Sequence, residues 1–171
     1  GPERSSPLEV ARCPGNLWSG VSNVGRRGVL RMVLFDANFL IALGDSDHEH
    51  HGAARAFHAK VRRDGWATCP LTENAFLRIV GHPNYPKGPG SPEAARTLLS
   101  GMTSQPGHQF WPDSISLCDA REYPQLPSSK KLTEYYLLAL AVKNKGTLAT
   151  FDRRIDPELI KGGADAYRVI G

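Results

Sequence analysis

Four carboxylates stand out because each follows or opens a short apolar stretch where the chain turns: Asp36, Glu73, Glu134 and Asp152. Asp36 closes Met32-Val-Leu-Phe35, and Asp152 closes Thr147-Leu-Ala-Thr150-Phe151. Glu73 and Glu134 stand at the beginnings of helical patterns. Taken singly, each has a plain reading. A carboxylate in the first turn of a helix complements the macrodipole by about 0.3–1 kcal/mol, and aspartate is an ordinary turn residue at a strand exit. Taken together they read as chemistry. Clustered carboxylates repel strongly at low dielectric and are kept together by a compensating cation. An all-oxygen donor set without adjacent Cys or His selects Mg²⁺ or Mn²⁺ over zinc. Such an ion activates water and neutralises charge on a phosphate.

The surrounding pattern says how the four are brought together. Met32–Phe35 reads as a buried strand, Phe39–Leu43 as a short helix stopped by Gly44, and His48–Arg63 as a helix capped by Asp47. Trp66–Cys69 is a second strand, and Thr72–Val80 a helix ended by Gly81-His-Pro83. Ser91-Pro92-Glu93 starts a helix through Thr103, with serine as cap and proline at the first position. Gln109–Ile115 reads as a third strand interrupted by Pro112, and Ser116–Tyr123 as a short helix. Leu132–Asn144 is the clearest helix, followed by strand Thr147–Thr150, a short helix from Asp156 and an edge strand at Tyr167–Ile170. Strands alternating with helices predict a parallel sheet of four to five strands, covered on both faces. In such a sheet all strand exits lie on one edge, so the four acids converge on one crevice.

Composition sets outer bounds. The 171 residues, 40% hydrophobic and 22% charged, are ordinary for one globular domain. The longest apolar run, Tyr135–Val142, is too short for a bilayer, and the N-terminus has no signal-peptide core. Three widely spaced cysteines, Cys13, Cys69 and Cys118, suit free thiols in a reducing cytoplasm. Residues 1–31 read as an N-terminal extension (a protease scar at Gly1-Pro2, upstream-translated sequence or a weakly ordered arm). Leu17, Trp18 and Val21 are its candidates for docking on the domain at 32–171. The formal charge of +4 fits a polyanionic partner. Lys130, Lys131 and Arg153 lie within a few residues of the acids, where they suit phosphate contact.

From Met32 to Gly171 the chain resembles the PIN-domain ribonucleases, and among them the VapC toxins of VapBC type II toxin–antitoxin systems. The matching segments are Val33-Leu-Phe-Asp36-Ala-Asn38-Phe-Leu-Ile-Ala-Leu43, Thr68-Cys-Pro-Leu-Thr-Glu73-Asn-Ala-Phe-Leu-Arg-Ile79, Thr133-Glu134-Tyr-Tyr-Leu-Leu-Ala-Leu-Ala141 and Gly146-Thr-Leu-Ala-Thr-Phe-Asp152-Arg153. The resemblance implies a three-layer α/β/α sandwich around a central parallel sheet. It implies a Mg²⁺- or Mn²⁺-dependent endoribonuclease acting on transfer or ribosomal RNA, a homodimer, a VapB-type antitoxin partner and no membrane association. The family's acids map onto Asp36, Glu73, Glu134 and Asp152 as catalytic and metal-holding residues, with Asn38 and Thr150 supporting them. Glu134 departs from the pattern, because an aspartate usually stands there, and the added methylene changes how the carboxylate reaches an octahedral ion.

Other readings remain in view. A catalytically weak PIN-like module would bind RNA or antitoxin without cutting. An aspartate-nucleophile phosphatase or dehalogenase also begins with a strand ending in aspartate, but wants a second aspartate where Asn38 stands. Asp45-Ser-Asp47-His-Glu49-His-His51 looks like a metal cluster, yet it lacks the glycine and terminal glutamate of an EF-hand loop and reads as a solvated helix start. His58, His82 and His108 read as structural or surface residues, and Trp66, Trp111 and Phe110 as core.

Overall fold

The computed structural model describes residues 31–171; Leu17, Trp18, Val21 and Cys13 lie outside the described residues. Five strands, β1 (Val33–Phe35), β2 (Trp66–Thr68), β3 (His108–Phe110), β4 (Thr147–Thr150) and β5 (Tyr167–Val169), form one sheet. Their order is β3-β2-β1-β4-β5, and every pairing is parallel. Alternation along the strands divides the core in two. Val33 and Phe35 of β1, Trp66 of β2 and Ala149 of β4 face one side. Leu34, Ala67 and Leu148 face the other.

Helices α1 (Ala37–Gly44), α2 (His51–Val61), α3 (Pro70–Val80) and α4 (Pro92–Thr103) cover the first face through Phe39, Ala54, Phe76 and Leu99. Helices α5 (Leu132–Lys143) and α6 (Gly163–Ala166) cover the second through Tyr135, Leu138 and Ala166. The sandwich is therefore three-layered, as the sequence leads one to expect. Burial on both faces is why β1 is apolar throughout and why β4, with threonine at either end, is buried at every position rather than at alternate ones. Among the described residues, no helix is long and apolar enough to cross a membrane.

Several expected boundaries move. Helix α2 starts at His51 with His50 as its cap and no side-chain cap bond, so Asp47 does not cap it. Asp47 instead takes Lys87 at 2.8 Å, and Asp45 accepts from the Tyr85 hydroxyl at 2.7 Å. These bonds tie the 45–50 segment to the loop after α3, which turns a solvated helix start into a braced turn. Residues 116–123 form successive turns, not a helix; Asp119 caps them by accepting from Arg121 and Glu122 backbone N–H groups. Strand β3 ends at Phe110, before Pro112, which has no N–H to donate. Gly107 delivers the chain into β3 at φ 86°, and a Cβ there would lie 1.8 Å from the Arg62 carbonyl oxygen. Only glycine fits.

Candidate active site

In this strand order the chain leaves β1 toward β2 on one side and later returns to β4 on the other. The crevice between the β1 and β4 exits is the topological switch point, where open α/β sheets place ligands. Asp36 stands at its centre. It is 5% exposed, caps α1, and accepts the Phe39 N–H at 2.6 Å. Its own N–H donates to the Ala149 carbonyl at 3.2 Å, which fixes the register between the two exits.

Burial raises the Asp36 carboxyl from its ordinary 3.8 to about 6. Hydrogen bonding from Thr150 and Phe39 holds the rise back, while the charges of Glu134 and Asp152 add to it. Three of the four acids thus share one electrostatic locus. Glu134 enters it from the first turn of α5. Asp152 enters from the β4 exit, its backbone N–H donating to Thr150 Oγ1 at 3.0 Å. Thr150 is therefore fixed between two of the acids.

Asp152 is already neutralised by the chain. Lys131 Nζ donates to its Oδ2, and Arg154 reaches Oδ1 through its backbone N–H at 2.8 Å and Nε at 3.1 Å. Burial pushes the Asp152 carboxyl up, but the Lys131 and Arg154 hydrogen bonds prevail and bring it to about 2. The Tyr167 hydroxyl of β5 donates to the Asp152 carbonyl. Lys131 is thus engaged with an acid, Lys130 is exposed, and Arg153 donates to the Gly171 carbonyl at 3.1 Å.

Glu73 occupies the same sheet edge over the β2 exit, in a network of its own. Thr68 Oγ1 donates to Glu73 Oε1 at 2.6 Å and lies 2.8 Å from His108 Nε2. The acids that press most on Asp36 are Glu134 and Asp152. Among the described residues, no three His, Cys, Asp or Glu side chains stand in a ready metal-holding group. The chain's own partners hold the acids apart: Lys131 and Arg154 draw Asp152 to themselves, and Thr68 holds Glu73 at β2. In donor chemistry the set nonetheless fits a hard divalent ion, with a buried carboxylate under pressure from two others.

Sequence reasoning missed Thr68, His108, Arg154 and Tyr167 as partners of the acids. The Arg153–Arg154 pair beside Asp152 was the available signal for Arg154; the others meet the site only through tertiary packing. Trp66 and Trp111 are core as expected, whereas Phe110 is 53% exposed at the end of the edge strand and is not. His108 is half-buried against Trp66, 4.7 Å between ring centroids, so it is neither isolated nor at the surface.

The chain and its fold have counterparts of known kind. The PIN domain family matches residues 33–157. Ribonuclease VapC44 of Mycobacterium tuberculosis is 40% identical over 136 residues, 78% of this chain and 95% of the relative. Ribonuclease VapC39 of the same organism is 38% identical over 121 residues, 70% and 87% of the two chains. Among solved structures, VapBC2 from Rickettsia felis bound to a DNA fragment from its promoter superposes with a TM-score of 0.56 at 10% identity, over 82% of this chain and 99% of that one. Mycobacterium tuberculosis VapC20, a sarcin–ricin-loop-cleaving toxin, gives a TM-score of 0.50 at 14% identity, over 81% and 99%. The sheet order, the acids at its switch point and these matches agree: the chain belongs to the PIN domain family and, within it, to the VapC ribonucleases.

Proposed function

We propose that the protein is an endoribonuclease toxin that hydrolyses RNA phosphodiester bonds with Mg²⁺ or Mn²⁺, neutralised by a VapB-type antitoxin. The observation that carries this reading is the buried Asp36 carboxylate, raised to about 6 by burial and by Glu134 and Asp152, at the switch-point crevice. Asp36, Asp152 and Glu134 would hold the ion, and Glu73 would join them or ligate through water. When bound, a divalent ion supplies Lewis acidity to a water and to the phosphate.

The chain's own contribution is positioning. Asp36 is held by Phe39 N–H, and Thr150 keeps the β4 exit against it. Asn38, exposed on the cleft that Asp152 also lines, would meet the phosphate. Lys131 and Arg154 supply positive charge where a phosphate would arrive, at the cost of competing with the ion for Asp152. The homodimer and the cytoplasmic setting are part of the same proposal, and they are supported by the kinship with VapC ribonucleases.

The test is incubation of RNA with the protein and Mg²⁺ or Mn²⁺, beside an EDTA control. EDTA-sensitive cuts that vanish in Asp36→Asn are the expected outcome. Binding without cuts would favour a non-catalytic module, and undiminished cutting by Asp36→Asn would remove Asp36 from the centre.

A further inference from the structure

The polar tract at 45–51, which looked like a solvated helix start, lines one wall of an open cleft beside the acids. Asn38, His48, Glu49 and His50 face Phe151, Asp152, Arg153 and Arg154 across a space of about 430 Å³. That volume falls in the range of small-ligand sites. A ladder of rings runs from the core to its rim. Buried Phe39 stacks on Phe151 with centroids 5.5 Å apart and planes at 12°, and Phe151 stacks on His50 at 4.4 Å and 16°. His48 follows at 5.7 Å, tilted by 42°. The His50 side chain remains 42% exposed.

The wall is braced. Asp45 takes the Tyr85 hydroxyl, Asp47 takes Lys87, and the His50 N–H donates to His48 Nδ1 at 3.1 Å. His51 Nδ1 lies 2.8 Å from the Ala42 carbonyl and anchors the wall to α1. Charge gives the cleft a direction. Glu49, 3.6 Å from His50 Nε2, repels a phosphate at the ring end. Arg153 and Arg154, each with guanidinium donors left after their bonds to Gly171 and Asp152, attract one at the other.

We propose that this cleft holds the unpaired nucleotide next to the scissile phosphate, its base stacked on His50 and its phosphate met by Arg153 and Arg154. The inference rests on the ribonuclease reading and deepens it, giving a subsite for one splayed-out base. Stacking of this kind tolerates any base, because every base has a π-face. It also requires a single-stranded segment, since a base held in a duplex has no free face.

The test uses the full chain carrying Asp36→Asn and six hexaadenylates, each with one 2-aminopurine at a different position. A change in emission at one position is expected as the base leaves its neighbours for the His50 ring, with His50→Ala in the same background abolishing it and weakening binding roughly tenfold. His50→Phe, which keeps a ring, restores both. The His50 side chain makes no cap bond to α2, and far-UV circular dichroism checks that both variants fold. The proposal is overturned if no position changes its emission, if the change survives His50→Ala, or if His50→Phe behaves like His50→Ala. Cleavage by the unsubstituted protein reads the parent claim separately. Cuts without a His50-dependent change in emission remove the subsite alone; that change without cuts removes the nuclease alone.

Discussion

Asp36 and Asp152 stand at neighbouring strand exits yet titrate in opposite directions, and their stability contributions have opposite pH dependence. Burial, reinforced by Glu134 and Asp152, raises Asp36 to about 6, so the folded state holds its proton more tightly than the unfolded chain. Its contribution is fully present below about 4 and is lost as pH rises through 6, by roughly 3 kcal/mol for two units. Asp152, brought to about 2 by Lys131 and Arg154 against the opposing effect of burial, contributes above about 4 and loses that contribution as pH falls through 2. The pair therefore favours folding most near pH 4. Urea unfolding in EDTA across pH 3–8 should show Asp36→Asn more stable than its parent at pH 7, the gap closing toward pH 4. An Asn variant no more stable at neutral pH would show that the buried carboxylate carries no such strain. Glu73 gives a second residue-scale expectation. Thr68→Val removes the hydroxyl that holds it and should cost about 10–100-fold in cleavage and in Mn²⁺ affinity by calorimetry. Thr68→Ser, which keeps the hydroxyl, should stay close to the parent.

At the scale of elements, what could be read from the chain depended on whether the determining contacts were local. Strand β1 and helix α5 declared themselves because they are buried nearly all round, and unbroken apolar runs mark such elements. Ser91 declared α4 because its hydroxyl accepts the Ala94 N–H, a bond within four residues. The start of α2 was hidden, since Asp47 looks like a cap and its true partner Lys87 lies 40 residues away. Helix α6 was hidden as well; it has four residues and follows Gly162 at φ 81°. That Asp36, Glu134 and Asp152 would meet was legible from the common edge of a parallel sheet, whereas Glu73, expected in the same crevice, stands in the Thr68–His108 network. Lys131 and Thr150 stood out by their nearness in sequence, but the pairing of Lys131 with Asp152 and of Thr68 with Glu73 did not, because an ion pair or a hydrogen bond across elements leaves no periodic trace. Element geometry also makes a sharp prediction at Gly107. Alanine there meets both a positive φ and the Arg62 carbonyl, and should lower stability by more than about 1 kcal/mol in urea unfolding while leaving the acids untouched.

For the molecule as a whole, the sheet order places its two ends in different roles. Strand β3 carries His108, which meets Thr68 and so supports Glu73, while β5 at the opposite edge carries Tyr167, which supports the turn at Asp152. Both edges thus steady a centre that neither edge contains. Tyr167→Phe should lower cleavage by more than its effect on stability suggests, which a hydrogen bond puts at about 1 kcal/mol; equal losses in melting and in turnover would reduce Tyr167 to a packing residue. The same bond has a consequence for timing. Chains are made from the N-terminus at about 5–20 residues per second, and β5 follows all four acids in the sequence. A growing polypeptide therefore contains every acid before it contains the tyrosine that steadies the last of them. On the proposed function, a chain cut short before that strand keeps all four carboxylates but lacks the bond that holds the Asp152 turn.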